Sequence, residues 1–308
     1  MSEINEKSNF EYKIIWNKNC LLPDAALNLA INIPSTTHNE TPDARESNEG
    51  QVYKRIGECI LFGSYPQSKV TDTTVLATFG NFDKSWTAYN QHLDGNRKDF
   101  MFYKDVTYNG EKYRGVYFTR FTPTIAALCP DYKKFKVNTV YCFKYDPIKW
   151  RILKTDDDTF TLVSDLILDC KSFMDMLDEE YNEDSIEEFE DSDIWFWLND
   201  TFYETAFNEI EQDLILDSLG YVSLLSVSDA QNYFVNNTDR KKPGTDYARS
   251  QCLPRACDSE SPSAWLLQDI NEFDFPDACF CVTEDGEIID SLLMDYSCGV
   301  VPTITIKR

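Results

Sequence analysis

GECILFGSYPQ, residues 57–67, joins an apolar run to a Gly-Ser-Tyr-Pro-Gln segment. Its apolar side chains fall on both sides of an extended chain, Cys59, Leu61 and Tyr65 on one and Ile60 and Phe62 on the other, which predicts a strand buried on both faces. We expect Gly63 and Pro66 to end the strand, because glycine permits unusual dihedral angles and proline removes a hydrogen-bond donor. A phosphate-binding loop would need several glycines and a following helix N-terminus. The stretch therefore predicts a strand and a turn, with Tyr65 packed inwards.

Further strands are predicted on both sides of a helical centre. Two alternating runs, around Cys142 and Trp150, are separated by Asp146-Pro147, a pair typical of turns, and TFTLVSD at 159–165 follows as the next strand. Near the end of the chain, ACFCVTEDGEII at 278–289 predicts a hairpin that turns at Glu284-Asp285-Gly286. VVPTITIK at 300–307 closes the chain as an alternating strand.

The helical centre begins at Ser192, which stands at an N-cap position before Asp193. Apolar residues then recur at helical spacing through Ala206. A second short helix is predicted around Ile210 and a third after Ser228, with a strand-like segment, YVSLLSV at 221–227, before the third. The sum is an α+β domain in which short antiparallel strands surround two or three helices.

Composition excludes several classes of partner. The chain has 29 Lys and Arg against 53 Asp and Glu, a formal net charge of −24, which opposes binding to nucleic acid or anionic lipid. No apolar run is long enough to span a bilayer, and the first residues lack the pattern of a secretory signal. The 10 cysteines are too few for a disulfide scaffold of this length. We expect a cytoplasmic protein with mostly reduced, buried cysteines.

The charge is unevenly distributed along the chain. Residues 172–239 contain 19 acidic side chains and no Lys or Arg. The stretch 131–155 is basic, with seven Lys or Arg against two Asp. Two solvated faces of opposite sign explain this pattern, and a specific docking surface is the alternative.

The predicted domain organisation has three parts. Residues 1–33 form an N-terminal arm, and residues 34–51, which are rich in Pro, Ser, Thr, Asn and Glu, form a linker or long loop. Residues 52–308 form the α+β domain, with an aromatic-rich insertion at about 72–137. The aromatic residues of this insertion are predicted to form its core, and an exposed set that binds protein or glycan is the alternative.

An ordered set of motifs resembles a known family. The motifs are FGSYPQ at 62–67, DVTYNGEKYRGVYF at 105–118, YDPIKWRIL at 145–153, WLNDTFYETAF at 197–207, SLLSVSDAQNYF at 223–234, TDYARSQ at 245–251 and GVVPTITI at 299–306. They resemble, in the same order, the bacterial domain of unknown function 6273, over residues 56–308. That family is similar in turn to the C-type-lectin-like fold of formylglycine-generating enzymes and of several bacterial binding proteins. The resemblance implies a C-type-lectin-like fold; function transfers less readily than fold.

Two departures from the family pattern remove arginines. The family's Trp-Trp-Leu-Arg stands here as Ala264-Trp265-Leu266-Leu267, and its Gly-Val-Arg-Pro stands as Gly299-Val300-Val301-Pro302. A carboxylate that pairs with either arginine in the family therefore has no guanidinium partner at these two positions here. The chain is therefore interpreted as a divergent or repurposed member.

Cysteine supplies the sharpest candidate for chemistry. Cys279 and Cys281 lie on one face of a predicted strand, and Cys252 and Cys257 lie upstream, so the four are candidate metal ligands. Zinc ribbons more often use C-x2-C pairs, so small buried apolar residues are the alternative, and favoured, interpretation. With His38 in the linker and His92 in a polar stretch as the two histidines, a Ser-His-Asp or Cys-His-Asn catalyst is not expected.

The acidic block DEEYNEDSIEEFED at 178–191 is interpreted as a solvated loop, because a calcium-binding EF-hand loop requires a glycine that it lacks. A calcium-supported structural domain is the weakest of three hypotheses. The leading one is a non-enzymatic interaction module that binds another protein, with no cofactor and neither nucleic acid nor membrane as partner. The alternative is a cysteine- or metal-dependent oxidase of the formylglycine-generating type that uses Cys279 and Cys281. The oligomeric state is left open.

Overall fold

The computed structural model describes residues 52–89, 101–119, 135–174, 188–218, 220–251, 253, 260–271 and 278–308. The predicted arm at 1–33 and linker at 34–51 lie outside these residues. The fold is mixed α+β, built mostly from antiparallel strands, as the sequence predicts. All described residues belong to one unit, Glu49–Arg308.

The larger of two main sheets has eight strands. They are β1 (Lys54–Ile56), β2 (Cys59–Val70), β3 (Thr87–Ala88), β4 (Met101–Tyr108), β5 (Glu111–Phe118), β6 (Val140–Thr155), β7 (Thr159–Ser164) and β15 (Thr303–Lys307). The order is β1-β2-β6-β5-β4-β3, with β7 pairing to β6 and β15 pairing to β7. Every pairing in this sheet is antiparallel.

Strand β6 is longer than the sequence predicts. The expected turn at Asp146-Pro147 is wrong: both residues lie inside β6, opposite β2. The first part of β6 pairs with β5 and the last part with β7, so the proline falls where the strand exchanges one neighbour for another. Gln67 Nε2 donates to the carbonyls of Asp146 and Pro147 at 2.8 and 3.2 Å. This side chain satisfies two carbonyl groups where the ladder is irregular.

Strand β2 also runs through residues predicted to end it. It continues across Gly63 and Pro66 to Val70, because β-bulges interrupt its register with β6 between Leu61 and Ser64 and again between Pro66 and Ser68. Gly63 has φ +66°, a conformation that suits glycine. The first bulge changes the alternation, so Tyr65 joins the same apolar core as Ile60 and Phe62, not the opposite face. Its predicted inward packing is confirmed, with 1% of its surface exposed.

The second main sheet has five strands in the order β13-β12-β11-β14-β8. They are β8 (Asp169–Lys171), β11 (Trp265–Ile270), β12 (Ala278–Val282), β13 (Ile288–Leu293) and β14 (Cys298–Val300), and a separate pair joins β9 (Lys242–Pro243) to β10 (Pro262–Ser263). The predicted hairpin is confirmed as β12 and β13, and Gly286 in its turn has φ +81°. Strands β11 and β14 are parallel.

The helices are short, and there are more of them than the two or three predicted. The described residues include α1 (Thr73–Ala77), α2 (Asp193–Trp197), α3 (Tyr203–Ala206), α4 (Glu209–Gln212), α5 (Val227–Tyr233), α6 (Asn237–Arg240) and α7 (Asp246–Ser250). A 3-10 turn, Phe189–Asp191, precedes α2, and a π turn, Leu198–Phe202, joins α2 to α3. The predicted N-cap is confirmed, because the Ser192 side chain accepts from the Trp195 N–H. The strand expected at 221–227 is wrong: the segment forms only an isolated bridge from Ser223 to Thr303.

The aromatic-rich insertion supplies α1, β3, β4 and β5, which extend the larger sheet. Its side chains pack among themselves, with Phe82 stacked on Tyr117 at 4.1 Å between ring centroids and Trp86 95% buried. The described part of the insertion therefore has its aromatics mainly in a core, as predicted.

Candidate functional site

A largely buried polar cluster, with Asp105 at its exposed edge, lies where the two main sheets and α7 meet. We call it the tyrosine network; its members are Tyr65, Tyr89, Asp105, Arg114, Tyr145, Asp169, Lys171 and Tyr247. Strands β2, β4, β5 and β6 supply four members, β8 supplies Asp169 and Lys171, and α7 supplies Tyr247, while Tyr89 directly follows β3. Helix α7 is positioned locally by Thr245, whose side chain accepts from the Ala248 N–H.

Asp169 is the acceptor at one end of the network. It is fully buried, and its carboxylate accepts from the Tyr65 hydroxyl at 2.5 Å, from the Tyr89 hydroxyl and from the Cys170 N–H at 2.7 Å. Burial and the Asp169 charge raise the pKa of both tyrosines well above the ordinary value. The hydroxyls therefore stay protonated and keep donating.

Arg114 forms the other end with Asp105. Its Nε and Nη2 donate to the two Asp105 oxygens at 2.8 and 2.9 Å, and the Tyr145 hydroxyl donates to the same carboxylate at 2.7 Å. Burial acts to raise the pKa of Asp105, but the Arg114 hydrogen bonds and charge and the Tyr145 hydrogen bond outweigh it and lower that pKa. Arg114 Nη1 also donates to the Tyr247 hydroxyl at 3.3 Å, and its guanidinium lies 4.2 Å from the Tyr103 ring centre. Such a bidentate, stacked geometry suits arginine and not lysine.

Lys171 occupies an aromatic environment beside Asp169. Its Nζ lies 3.8 Å from the Tyr89 ring centre and 5.0 Å from that of Trp197. Burial lowers its pKa from 10.5 to about 8, although the Asp169 charge acts in the opposite direction. Lys242 is also buried and donates to the Ser164 carbonyl at 2.7 Å, and burial likewise lowers its pKa to about 8.

The network is a clamp between elements far apart in the chain. Its two cations and two carboxylates balance, and its tyrosine hydroxyls are used in bonds to other members. Of these residues, the sequence predicts Tyr65 as an inward residue and Tyr89 as part of the aromatic core of the insertion, and it does not predict the polar contacts of the network. Its members are separated by long stretches of chain, so no local spacing links them, and only the motifs that carry the family resemblance contain several of them.

The predicted cysteine site is described only in part. Cys279 and Cys281 lie buried on β12, while Cys252 and Cys257 lie outside the described residues. Interaction with the Cys281 thiol, together with burial, raises the pKa of Cys298 well above the ordinary value, and burial raises that of Cys279. Protonated thiols are poor metal ligands and nucleophiles.

Within the part of the chain that the structure describes, no group of three or more His, Cys, Asp or Glu is arranged to hold a metal ion. The four-cysteine site therefore stays a prediction. The acidic block is described only from Glu188, and the rest of it and both histidines lie outside the described residues.

The two positions at which the resemblance implies arginine are now apolar and close together. Trp265 of β11 pairs with Gly299 of β14, and Leu267 and Val301 are both fully buried in one apolar cluster with them. Hydrophobic packing holds these strands together at both positions.

A second candidate site lies on the surface of the helical segment. We call it the aromatic strip; it comprises two ring pairs, Trp195 with Phe196 and Tyr203 with Tyr221. Phe196 is 57% exposed and Tyr221 39% exposed, whereas Tyr203 is 9% exposed. The ring of Trp195 meets that of Phe196 edge-on at 5.2 Å, and the rings of Tyr203 and Tyr221 stack at 4.7 Å. Large exposed aromatic side chains of this kind are typical of protein-binding surfaces.

The fold and the two candidate sites define an α+β protein with a buried polar clamp and an exposed aromatic strip. No protein family, curated protein or solved structure matches the chain. None of the helices described here is long and apolar enough to cross a membrane.

Proposed function

We propose that the protein is a non-enzymatic interaction module of C-type-lectin-like fold that binds another protein through its helical surface. The ordered motifs that resemble domain of unknown function 6273 support the fold, and the mixed, mostly antiparallel architecture is compatible with it. The aromatic strip supports the function, because it places large apolar side chains in solvent although the chain has ample core to bury them.

The single observation that carries the proposal is the contrast between the two candidate sites. The polar atoms of the tyrosine network bond to one another, mostly in the interior, so the network serves packing. The aromatic strip faces outward, where Phe196 and Tyr221 keep roughly half of their surfaces in water. Exposed aromatic residues of this type are frequent anchors of protein interfaces.

The test is capture of a partner by the purified full chain, with mass spectrometry as the readout and a charge-matched protein as background. We expect one enriched protein whose capture by Phe196→Asp is lost, while capture by Val235→Asp is kept. Val235 is 87% exposed and lies outside the strip, so it controls for the added charge. Equal capture by both variants would show that the strip does not bind the partner.

The oxidase alternative at Cys279 and Cys281 makes a different prediction. It requires copper or zinc in stoichiometric amount in the purified chain, lost in a Cys281→Ser variant that still folds. Metal analysis therefore separates this alternative from an interaction module, which needs no bound metal.

A further inference from the structure

We propose that Tyr221, stacked on Tyr203 of the acidic segment that also carries Glu204 and Asp213, is the anchor at which a segment rich in arginine and lysine from a partner protein docks. This inference rests on the proposed interaction function and names the chemistry of the partner. It follows from three properties of the surface: a fixed aromatic platform, carboxylates beside it, and a surrounding segment with no cations of its own.

The platform is rigid because Asn199 holds the loop that carries Tyr221. Asn199 Nδ2 donates to the Val222 carbonyl at 3.0 Å, and Asn199 Oδ1 accepts from the Val222 N–H at 3.1 Å. The same Nδ2 also donates to the Trp195 carbonyl at 3.0 Å. Gly220 has φ +90°, and a Cβ there would lie 2.6 Å from Asn199 Oδ1. The loop therefore lies close against the helix, and the Tyr221 ring is ordered before any ligand binds.

The two rings of the stack differ in exposure. Their planes are inclined by only 19°, with Tyr203 nearly buried and Tyr221 39% exposed. Tyr203 therefore supports the stack from within, and Tyr221 is its solvent-facing ring. An exposed aromatic face attracts a guanidinium or ammonium group, and the attraction contributes about 0.5–2 kcal/mol according to how far the cation is desolvated.

Carboxylates beside the stack add to this attraction. Glu204 follows Tyr203 directly in α3, Asp213 stands at the end of α4, and both residues are exposed. Burial is the main cause that raises the pKa of Tyr203, and the charges of Glu204 and Asp213 contribute to the rise. The described stretch 188–218 holds ten Asp and Glu and no Lys or Arg. Lys307 approaches from β15, but its Nζ donates at 2.8 Å to the backbone carbonyl of Asp213. The single charge of Lys307 offsets only part of the ten acidic charges of this stretch.

A basic peptide segment fits these properties better than the other classes of partner. Phosphate backbones and anionic lipid are repelled by the acidic surface. Arginine combines stacking on an aromatic ring with paired hydrogen bonds to a carboxylate. A second copy of this chain could offer its own basic stretch at 131–155, so self-association is an outcome that the experiment must separate.

The experiment measures fluorescence anisotropy with a labelled ten-residue peptide of alternating arginine and serine, added to the full chain. The same peptide with citrulline in place of arginine keeps the shape and removes the charge. Tyr221→Ala removes the ring, and Tyr221→Phe keeps it. Glu204→Gln/Asp213→Asn neutralises the flanking carboxylates, and Asp157→Asn/Asp158→Asn, in the exposed turn between β6 and β7, removes the same charge elsewhere.

We expect the arginine peptide to bind, the citrulline peptide to bind at least tenfold more weakly, and Tyr221→Phe to bind like the unmodified chain. Tyr221→Ala should weaken binding roughly tenfold and the Glu204/Asp213 variant several-fold, whereas the Asp157/Asp158 variant should change it less than twofold. No binding, equal weakening by the two charge variants, or no effect of Tyr221→Ala would overturn the proposal. So would a partner that proves to be a second copy, seen as a concentration-dependent dimer by light scattering.

Failure of this inference differs from failure of the interaction function. A partner that both the unmodified chain and Tyr221→Ala capture equally leaves the interaction function standing and refutes this anchor. Capture of no partner under any condition refutes the interaction function itself.

Discussion

Replacing Tyr65 with phenylalanine tests whether the tyrosine network holds the two sheets together. The substitution removes one hydroxyl, which donates to the fully buried Asp169 carboxylate at 2.5 Å. The ring remains, and its contacts with Phe202 at 5.0 Å and Tyr247 at 5.8 Å between centroids are kept. The variant therefore isolates a single hydrogen bond to a buried charged group.

The expected cost follows from what Asp169 retains. The Asp169 carboxylate keeps two donors, the Tyr89 hydroxyl and the Cys170 N–H, so it loses one of its three hydrogen bonds. Loss of one bond to a buried charged acceptor costs roughly 2–3 kcal/mol in free energy of unfolding. For a domain of this size that corresponds to a melting temperature lower by roughly 4–10 °C.

Urea unfolding followed by tryptophan fluorescence measures the change. The midpoint should fall while the slope of free energy against urea stays constant, because the surface exposed on unfolding is the same. Tyr117→Phe is the matched control, since its hydroxyl bonds Asn138 Oδ1 at 2.9 Å in an exposed position, and we expect a loss below about 0.5 kcal/mol. Equal stabilities of the two variants would refute the view that the buried bond matters more than an exposed one.

Three further predictions concern a glycine, a lysine and the thiols. Gly63→Ala should destabilise the fold by roughly 3 kcal/mol or more, and Gly80→Ala by about 1 kcal/mol. Both glycines have φ +66°, but only at Gly63 would an added Cβ meet a ring carbon, that of Phe207 at 2.6 Å, so equal urea midpoints would contradict the packing argument. The folded-state pKa of Lys171, about 8, lies below its ordinary 10.5, so between these values the unfolded state binds more protons and stability rises with pH. Lys171→Met should reduce this rise between about pH 8 and 10.5, measured by melting temperature, and an unchanged slope would exclude Lys171 as its source. A thiol reagent should label Cys279 and Cys281 only after unfolding in urea, because both are buried and burial raises the pKa of Cys279; rapid labelling of the folded chain, read by mass spectrometry, would contradict this.

Local signals predicted those parts of the fold that depend on few residues. Ser192 caps α2 because one hydroxyl and one N–H three residues later suffice. The hairpin of β12 and β13 forms where Gly286 supplies the positive φ that its turn requires. Each of these features is decided within a handful of neighbouring residues.

The turn predicted at Pro147 and the face predicted for Tyr65 are wrong because pairing with a strand distant in the sequence decides both. Pro147 reads as a turn residue, yet it lies within β6 because β2 pairs on one side and Gln67 satisfies the nearby carbonyls. Uninterrupted alternation through Gly63 predicts Tyr65 on the face opposite Ile60, whereas the bulge after Leu61 places both in the same core. A bulge changes which residues face the core, and nothing in the sequence of one strand fixes its position.

The candidate sites also depend on contacts between residues that are distant in the sequence. Tyr65, Arg114 and Tyr247 lie in three separate motifs, and only the folded chain shows that their hydroxyl and guanidinium groups share one buried cluster. The acidic stretch at 172–239 was recognised from composition alone. The exposed ring of Tyr221 was not, because its position depends on a side chain, Asn199, more than twenty residues earlier.

The tyrosine network also explains why the bulges of β2 are specific features and not irregularities. An apolar core gains nearly the same burial from several strand registers, so it selects among them weakly. The bond from Tyr65 to Asp169 forms only when the bulge after Leu61 turns the hydroxyl towards β8. A slip by one residue would leave a buried carboxylate without one of its donors, at a cost of roughly 2–3 kcal/mol, which is a sizeable part of a typical domain's total stability of about 5–15 kcal/mol. The network therefore selects a single register, and we infer that this register holds the β2 bulge, and with it the helical segment that carries the aromatic strip, in one place.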